Sequence, residues 1–127
     1  RFDELVGETA GDVHFIQTYS FFSKPTDASK RVMAALGARY NVKSPADVIA
    51  PVGTANAYDA MHLLAKAIDK AKSLEGDAIR KAMEQIDEHV GLIKTYKTPF
   101  SADDHEGLSP DDYIMVRYEG GKAMPVK

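Results

Sequence analysis

The stretch Asp103-Asp104-His105-Glu106 contains the densest set of possible metal ligands in the sequence. Carboxylate and imidazole groups bind divalent cations. Adjacent residues rarely converge on one ion, however, and the alternating 1-3-5 ligand spacing of a calcium loop is missing. The composition is more typical of a solvated turn held by side-chain-to-backbone hydrogen bonds. We therefore predict neither a metal site nor a cofactor.

Ser20, His62 and Asp59 supply the residue types of a nucleophile, a general base and an orienting acid. No serine lies in a G-x-S-x-G turn, and no glycine-rich phosphate-binding loop follows a strand. His62 is spaced from Asp59 and Lys66 as in an ordinary pair on a helix surface. The sequence therefore predicts no catalytic residue. A small α/β enzyme is the alternative, and it would require a residue essential for turnover among His62, His105 and Asp59.

The turn before the longest predicted helix has a different chemistry, that of anion binding. Gly53, Thr54, Ala55 and Asn56 lead into this helix. The free N–H groups and the positive dipole end of a helix N-terminus suit a carboxylate. We therefore predict these four residues as ligand contacts. The alternative is that Thr54 caps its own helix.

Tyr19 and Phe21 are a second candidate ligand surface. Both belong to an aromatic stretch in which large rings alternate along the chain. Aromatic rings cover the apolar face of small solutes in binding pockets, so we predict both residues as further ligand contacts. The alternative is core packing, because the inner face of a sheet shows the same alternation.

Apolar periodicity predicts the first half of the fold. Residues 13–22, rich in aromatic and β-branched types, predict a largely buried strand. A helix capped by Thr26 or Asp27 should follow and end at Asn41, and Ser44-Pro45-Ala46-Asp47 predicts a short helical turn. The longest helix is predicted to begin at Thr54. Its apolar residues should lie on one face of the helix and its polar residues on the other. The stripe consists of Ala57, Tyr58, Met61, Leu64, Ala65, Ile68 and Ala71, and the polar side consists of Asp59, His62, Lys66 and Lys70.

The second half is predicted to contain one more helix and several strands. The helix should start at Gly76-Asp77 and be closed by Gly91, with a short strand at residues 92–96 after it. A polar connection then leads to a strand at residues 113–118, and the turn at residues 119–122 predicts a hairpin. Pro125 should lie at the sheet edge. The order of elements predicts an α/β fold with a terminal β-hairpin.

Composition excludes several classes of function. The 127 residues carry a net charge of −3, with the basic residues scattered along the chain, so nucleic-acid binding is not expected. No apolar run approaches the roughly 20 residues of a membrane-spanning helix. Cysteine is absent, which excludes disulfides and thiol chemistry from this segment. The chain has no initiator methionine and no signal peptide, so we expect it to be part of a longer polypeptide.

A resemblance to one family extends over nearly the whole chain. The chain resembles the periplasmic solute-binding proteins of the leucine/isoleucine/valine type, which have the type I periplasmic binding fold. The order and spacing of short segments carry this resemblance. The segments are residues 57–71, 76–84, 91–96, 99–100, 104–108, 112–118, 121–122 and 125–126. Where the family often has a glycine after the long helix, this chain has Lys72.

The resemblance implies a two-lobe protein that closes over its solute, of which this chain would be the C-terminal portion. Residues 1–25 would form a second-lobe strand and crossover, residues 26–90 a helical segment, and residues 91–127 a loop and the terminal hairpin. Most ligand-clamping groups would lie upstream of Arg1, and the six candidate contacts would lie at the cleft edge. Such a fragment should expose apolar surface, or adopt a swapped or dimeric arrangement, when expressed alone.

The implied function is that of the substrate-binding component of an ABC importer. The solute would be a branched-chain amino acid or a related small carboxylate or amide, and the partners would be the permease subunits in the membrane. The location would be periplasmic, directed by a signal peptide upstream. The alternative is a ligand-sensing regulatory receptor of the same fold, which a cytoplasmic start would indicate.

Overall fold

Short helices and two small antiparallel sheets make up the computed structural model, which describes residues 2–126. The α-helices are α1 (Phe2–Val6), α2 (Asp27–Tyr40), α3 (Pro51–Ala71) and α4 (Gly76–Met83). The strands are β1 (His14–Gln17), β2 (Glu88–Val90), β3 (Thr95–Lys97), β4 (Ile114–Glu119) and β5 (Lys122–Pro125). Short 3-10 helices lie at Gly7–Asp12, Pro45–Asp47 and Pro110–Asp112. None of the described helices combines the length and the apolar character needed to cross a membrane.

The chain divides into two compact units. The first combines the described residues of Arg1–Gly53 with those of Tyr113–Lys127, and the second is Thr54–Asp112. The first unit contains the sheet β1-β4-β5, in which all pairs are antiparallel. The second contains the hairpin β2-β3. Segments from both ends of the sequence therefore form one sheet, while the second unit is continuous in sequence.

The sheet of the first unit confirms the predicted terminal hairpin. Gly120 and Gly121 both have positive φ, 57° and 77°, which a two-residue hairpin turn of type I′ requires. Pro125 lies in β5 at the edge of the sheet, as predicted. Ile16 and Met115 are paired in the register and are 62% and 46% exposed. The expected exposed apolar surface is therefore present on this sheet, and dimerisation stays a prediction.

The predicted strand at residues 13–22 is wrong in length and burial. β1 covers only His14–Gln17, and Val13 and Ile16 are exposed. The backbone N–H of Phe22 donates to the Ser20 hydroxyl (3.1 Å), and the N–H of Ser23 donates to the Ser20 carbonyl (3.1 Å). This local turn satisfies the backbone after the strand without a further sheet partner.

Helix α2 has the predicted caps at both ends. The N–H of Ser29 donates to the Thr26 hydroxyl (3.1 Å), and the N–H of Thr26 donates to the Ser29 hydroxyl (2.9 Å), which completes a capping box. Asn41 ends the helix in the left-handed conformation with φ 56°. The predicted short helix is also confirmed as the 3-10 turn Pro45–Asp47, in which the Asp47 carboxylate accepts from the N–H of Ser44 (2.8 Å).

Helix α3 buries a different stripe from the predicted one. It begins at Pro51, three residues before the predicted start at Thr54. Its buried residues are spaced four apart, and they are Ala55, Asp59, Leu63 and Ala67. Met61, a member of the predicted apolar stripe, is 64% exposed. The placement of Asp59 on the polar side was therefore wrong, since this carboxylate lies at the centre of the buried stripe and is only 1% exposed.

The core of the second unit joins α3 to α4. Leu63 and Ala67 of α3 pack with Ala82 of α4 and with Ile86, and partly buried Phe100 packs against this cluster. Helix α4 ends at Met83, before the predicted closure at Gly91, and residues 88–90 instead form β2. β3 begins at Thr95, so the predicted strand at residues 92–96 is displaced toward the C-terminus. The β2-β3 hairpin as a pair was not predicted.

Lys72 ends α3 in a conformation that favours glycine. Its φ is 50°, and its N–H donates to the carbonyl of Ile68 (2.9 Å). A side chain with a Cβ in the left-handed region is strained by about 1 kcal/mol. The contact between its ammonium group and Asp69 is fully exposed and contributes little.

We expect Lys72→Gly to raise the free energy of unfolding of the intact protein by about 0.5–1 kcal/mol, because glycine relieves this strain. Urea denaturation measures the change. Lys72→Ala is the matched control, since it removes the same exposed ammonium group and keeps a Cβ in the left-handed region. Equal stability of the glycine and alanine variants would show that the strain is not significant.

Candidate functional site

A cavity in the first unit brings together residues from three separate segments. Its volume is about 340 Å³. One wall is the turn that follows β1, a second is the segment around the Pro45–Asp47 helix, and the third is the β4-β5 hairpin. The lining residues are Gln17, Ser20, Phe21, Phe22, Pro45, Ala46, Val48, Ile49, Pro51, Tyr118, Gly121, Lys122 and Ala123. We call this space the unit-one cavity.

The turn after β1 places the aromatic wall. Phe21 is 7% exposed and meets the ring of Tyr19 edge to face, with centroids 4.9 Å apart and an interplanar angle of 87°. Such a pair fixes both rings beyond what simple burial does. Ser20 is 3% exposed, and its hydroxyl already accepts the N–H of Phe22. Phe21 is therefore packed in the interior, as the alternative interpretation predicts, and it also lines the cavity, while its contact with a ligand stays a prediction.

Lys122 gives the unit-one cavity its charge. It is the first residue of β5, directly after the Gly120-Gly121 turn, and it is the one charged side chain among the described residues that line the cavity. No carboxylate lies among those lining residues. The cavity thus combines a cationic group with an aromatic and proline-lined wall, which suits a small anion with an apolar part. Lys122 was not among the site residues predicted from the sequence. It reaches the cavity only because the β4-β5 hairpin places it there, and no local motif marks it as a ligand contact.

The predicted contacts at the start of the long helix are not in a turn. Because α3 begins at Pro51, Gly53 and Thr54 lie within its first turn, and Ala55 and Asn56 lie in the second. Ala55 is 0% exposed. Backbone N–H groups beyond the first turn bond within a helix and are not open to a ligand. Thr54 is also too far inside the helix to be its N-cap, so the alternative, in which Thr54 caps its own helix, was wrong. Ligand contact by these four residues stays a prediction.

Asp59 accepts hydrogen bonds from the β2-β3 hairpin and therefore has a structural role in the second unit. Its carboxylate accepts hydrogen bonds from the N–H of Leu92 (2.5 Å), the N–H of Ile93 (2.9 Å) and the hydroxyl of Tyr96 (2.9 Å). Burial, and next the Asp59 carboxylate, raise the pKa of the Tyr96 phenol well above its usual value. The ring nitrogen Nδ1 of His62 lies 2.9 Å from the carbonyl oxygen of Tyr58. The expected surface pair of His62 with Asp59 was therefore wrong.

The acidic stretch around His105 forms a turn, as its composition predicts. The N–H of Asp104 donates to the Ser101 hydroxyl (3.0 Å), and the N–H of Glu106 donates to the Asp104 carboxylate (2.9 Å). His105 Nε2 lies 3.4 Å from a Glu84 oxygen. Among the residues that the structure describes, no group of three or more histidine and acidic side chains is arranged to hold a metal ion.

An ion pair anchors the end of the second unit. The ammonium group of Lys94 donates to the Asp112 carboxylate, which also accepts the N–H of Ser109 (2.7 Å). These hydrogen bonds, that of Lys94 first, lower the pKa of the Asp112 carboxyl. Both side chains of the pair are partly buried. The pair therefore fixes the polar connection that follows β3.

Comparison with known proteins identifies the class. The family model described as periplasmic binding protein matches residues 2–122. This chain therefore belongs to the periplasmic binding protein family. A comparison with curated protein sequences gives no significant match.

Solved structures show the same fold. A periplasmic binding protein type 1 from Bordetella pertussis Tohama I is similar, with a TM-score of 0.73 at 22% identity, over 98% of this chain and 35% of that one. A leucine-binding protein from Thermotoga maritima MSB8 has a TM-score of 0.71 at 16% identity, over 98% and 33%. An extracellular ligand-binding receptor from Rhodopseudomonas palustris HaA2 has a TM-score of 0.69 at 20% identity, over 99% and 37%. The chain thus spans about a third of their length and is a fragment of the type I periplasmic binding fold.

Proposed function

We propose that this chain is part of the substrate-binding component of an ABC importer. The solute is a branched-chain amino acid or a related small carboxylate or amide, and the protein binds it without catalysing a reaction. Membership of the periplasmic binding protein family supports ligand binding and a periplasmic or extracellular location. A leucine-binding protein among the similar structures supports the choice of solute class. The proposed partners are the membrane permease subunits of the importer.

The unit-one cavity is the observation that carries the proposal. A branched-chain amino acid or an aromatic acid has one carboxylate and one apolar part. Lys122 supplies a positive charge for the first, and Phe21 and Phe22 supply an aromatic surface for the second. Tyr19 does not line the cavity and acts through its ring contact with Phe21. A volume of about 340 Å³ lies in the range of small-molecule sites. We propose that this cavity forms one edge of the ligand cleft in the complete protein.

The mechanism that we propose is lobe closure. A solute that binds the closed state better than the open state shifts the population toward closure, and the closed form then presents its surface to the permease. The joint sheet of β1, β4 and β5 supports the assignment of residues 1–25 and of the terminal hairpin to the same lobe. The proposed helical segment at residues 26–90 would belong largely to the other lobe.

The test is calorimetry of the intact protein against leucine, isoleucine, valine, aromatic acids and small amides. A true solute raises the melting temperature with the logarithm of its concentration relative to its Kd. Saturable binding of one of these compounds is the expected result. Absence of binding by all of them, in protein freed of any co-purified ligand by unfolding and refolding, would contradict the proposed solute class.

We expect Lys122→Gln to weaken binding of a carboxylate solute about fivefold, because it removes the positive charge of the unit-one cavity and keeps a side chain of similar length. The change should affect a neutral amide less. Lys24→Gln is the matched control, since Lys24 is also exposed in the first unit and does not line the cavity. If the two substitutions changed the affinity for the solute equally, Lys122 would not be part of the binding site.

A further inference from the structure

His89 occupies an unusual position in the second unit. It lies in β2 opposite Tyr96 of β3, and its ring stacks on that of Tyr96 with centroids 6.1 Å apart. A second ring neighbour is His62 from α3, with centroids 6.3 Å apart. The Nε2 atom of His89 is buried and has no hydrogen-bond partner. The imidazole thus joins the hairpin to the helix through ring contacts while one of its polar atoms is unsatisfied.

The groups that face His89 would stabilise a positively charged imidazolium only weakly. From α3 these are Asp59, His62 and Lys66, and from β3 the neighbour is the phenol ring of Tyr96. Lys66 is a cation whose ammonium group donates to the carbonyl of Glu88 (2.6 Å), one residue before His89. The Asp59 carboxylate is the one anion among the groups that act on His89, and three hydrogen bonds already occupy it.

Burial therefore lowers the pKa of the His89 imidazole, and the attraction of Asp59 only partly opposes this effect. Lys66 and His62 lower the pKa further. In the unfolded chain the imidazole has its usual pKa, near 6.5. As the pH falls below that value, the opened hairpin binds a proton more readily than the closed hairpin does. Acid therefore favours opening over the range between the usual pKa and the lowered one.

We propose that His89 is an acid-sensitive latch, whose protonation releases the β2-β3 hairpin from α3. The parts that separate are defined by the contacts: the two stacked rings, the bond of Lys66 to Glu88, and the two N–H groups that donate to Asp59. The latch is a property of the second unit alone and does not depend on the proposed solute. Neutral imidazole favours the closed hairpin, and imidazolium shifts the equilibrium toward the open one.

The amides of Leu92 and Ile93 report directly on the latch, because they donate to Asp59 only when the hairpin is closed. Their hydrogen exchange is measured by NMR in the intact protein from pH 7 to pH 5 and corrected for intrinsic exchange rates. Their protection should fall as the pH falls, by up to about tenfold per pH unit, as expected for the uptake of one proton. Amides of α2, in the first unit, are the internal reference.

His89→Phe should abolish this pH dependence, because phenylalanine keeps a ring in the stack and takes up no proton. His105→Gln, which changes an exposed histidine of the second unit outside this ring stack, is the matched control and should keep it. The titration of the His89 ring in the unsubstituted protein provides an independent measurement if the phenylalanine variant does not fold. Two results would overturn the proposal. One is a pKa of His89 at or above that of free histidine, and the other is an unchanged pH dependence of the amide protection in the His89→Phe variant.

Discussion

Asp59→Ala should lower the free energy of unfolding of the intact protein by about 3–5 kcal/mol. The carboxylate is 1% exposed and accepts from two backbone N–H groups and one phenol hydroxyl. Alanine leaves all three donors without an acceptor, and each buried donor without a partner costs about 1–3 kcal/mol. It also leaves a cavity beside Leu63 in the buried stripe of α3. Urea denaturation followed by circular dichroism measures the loss.

Two further variants separate the proposed cause from a general effect of changing α3. Asp59→Asn keeps the volume and one acceptor oxygen but turns an amide donor toward another donor, so its loss should be smaller and still clear. Asp69→Ala changes an exposed carboxylate of the same helix and should have little effect. If Asp59→Ala and Asp69→Ala were equally stable, the three hydrogen bonds would not be important for folding.

Gly91→Ala should lower the stability by about 3 kcal/mol. Gly91 lies in the turn between β2 and β3, where its N–H donates to the carbonyl of Lys94 (2.9 Å). A Cβ at this position would lie 2.7 Å from the carboxylate carbon of Asp59 and from both of its oxygens. Either the helix or the turn must move, and the Asp59 hydrogen bonds would be distorted as well as the packing.

Gly76→Ala is the matched control for this substitution. Gly76 is the first residue of α4 and has no positive φ, and a Cβ added to it would have no heavy atom within 4 Å. Alanine there should be neutral or slightly stabilising, because it favours the helix. The double variant Asp59→Ala with Gly91→Ala adds a test of cause, since removal of the carboxylate also removes the clash. The two losses should therefore be far from additive.

The sequence predicts well those features that depend on neighbouring residues. The cap at Thr26, the helix end at Asn41 and the two-glycine hairpin turn are all local, so the residue types alone determine them. The same is true of the turn around Asp104. The class of fold was also predicted correctly from the resemblance, since the family model matches residues 2–122.

The features that were not predicted from the sequence depend on contacts between distant residues. Apolar periodicity gave α3 the wrong face because the true buried stripe includes Asp59, which becomes compatible with burial only when the hairpin supplies donors. β2 was not predicted because Glu88 and His89 are not typical strand residues. Contacts from α3 stabilise them instead: Lys66 donates to the carbonyl of Glu88, and the ring of His62 stacks on that of His89. Lys122 became a candidate site residue only in the folded structure, because the β1-β4-β5 sheet places it at the cavity.

The pairing of β1 with β4 determines when each unit can fold during synthesis. His14 pairs with Arg117, so on the order of 100 residues must leave the ribosome before the strand acquires its neighbour. The second unit needs no such wait, because it is continuous in sequence over Thr54–Asp112. It is therefore free to form first and to bring the chain ends closer, which reduces the entropy cost of closing the long loop. Nascent chains that end before Tyr113 should accordingly contain a protease-resistant core from the second unit alone, with β1 still open to cleavage.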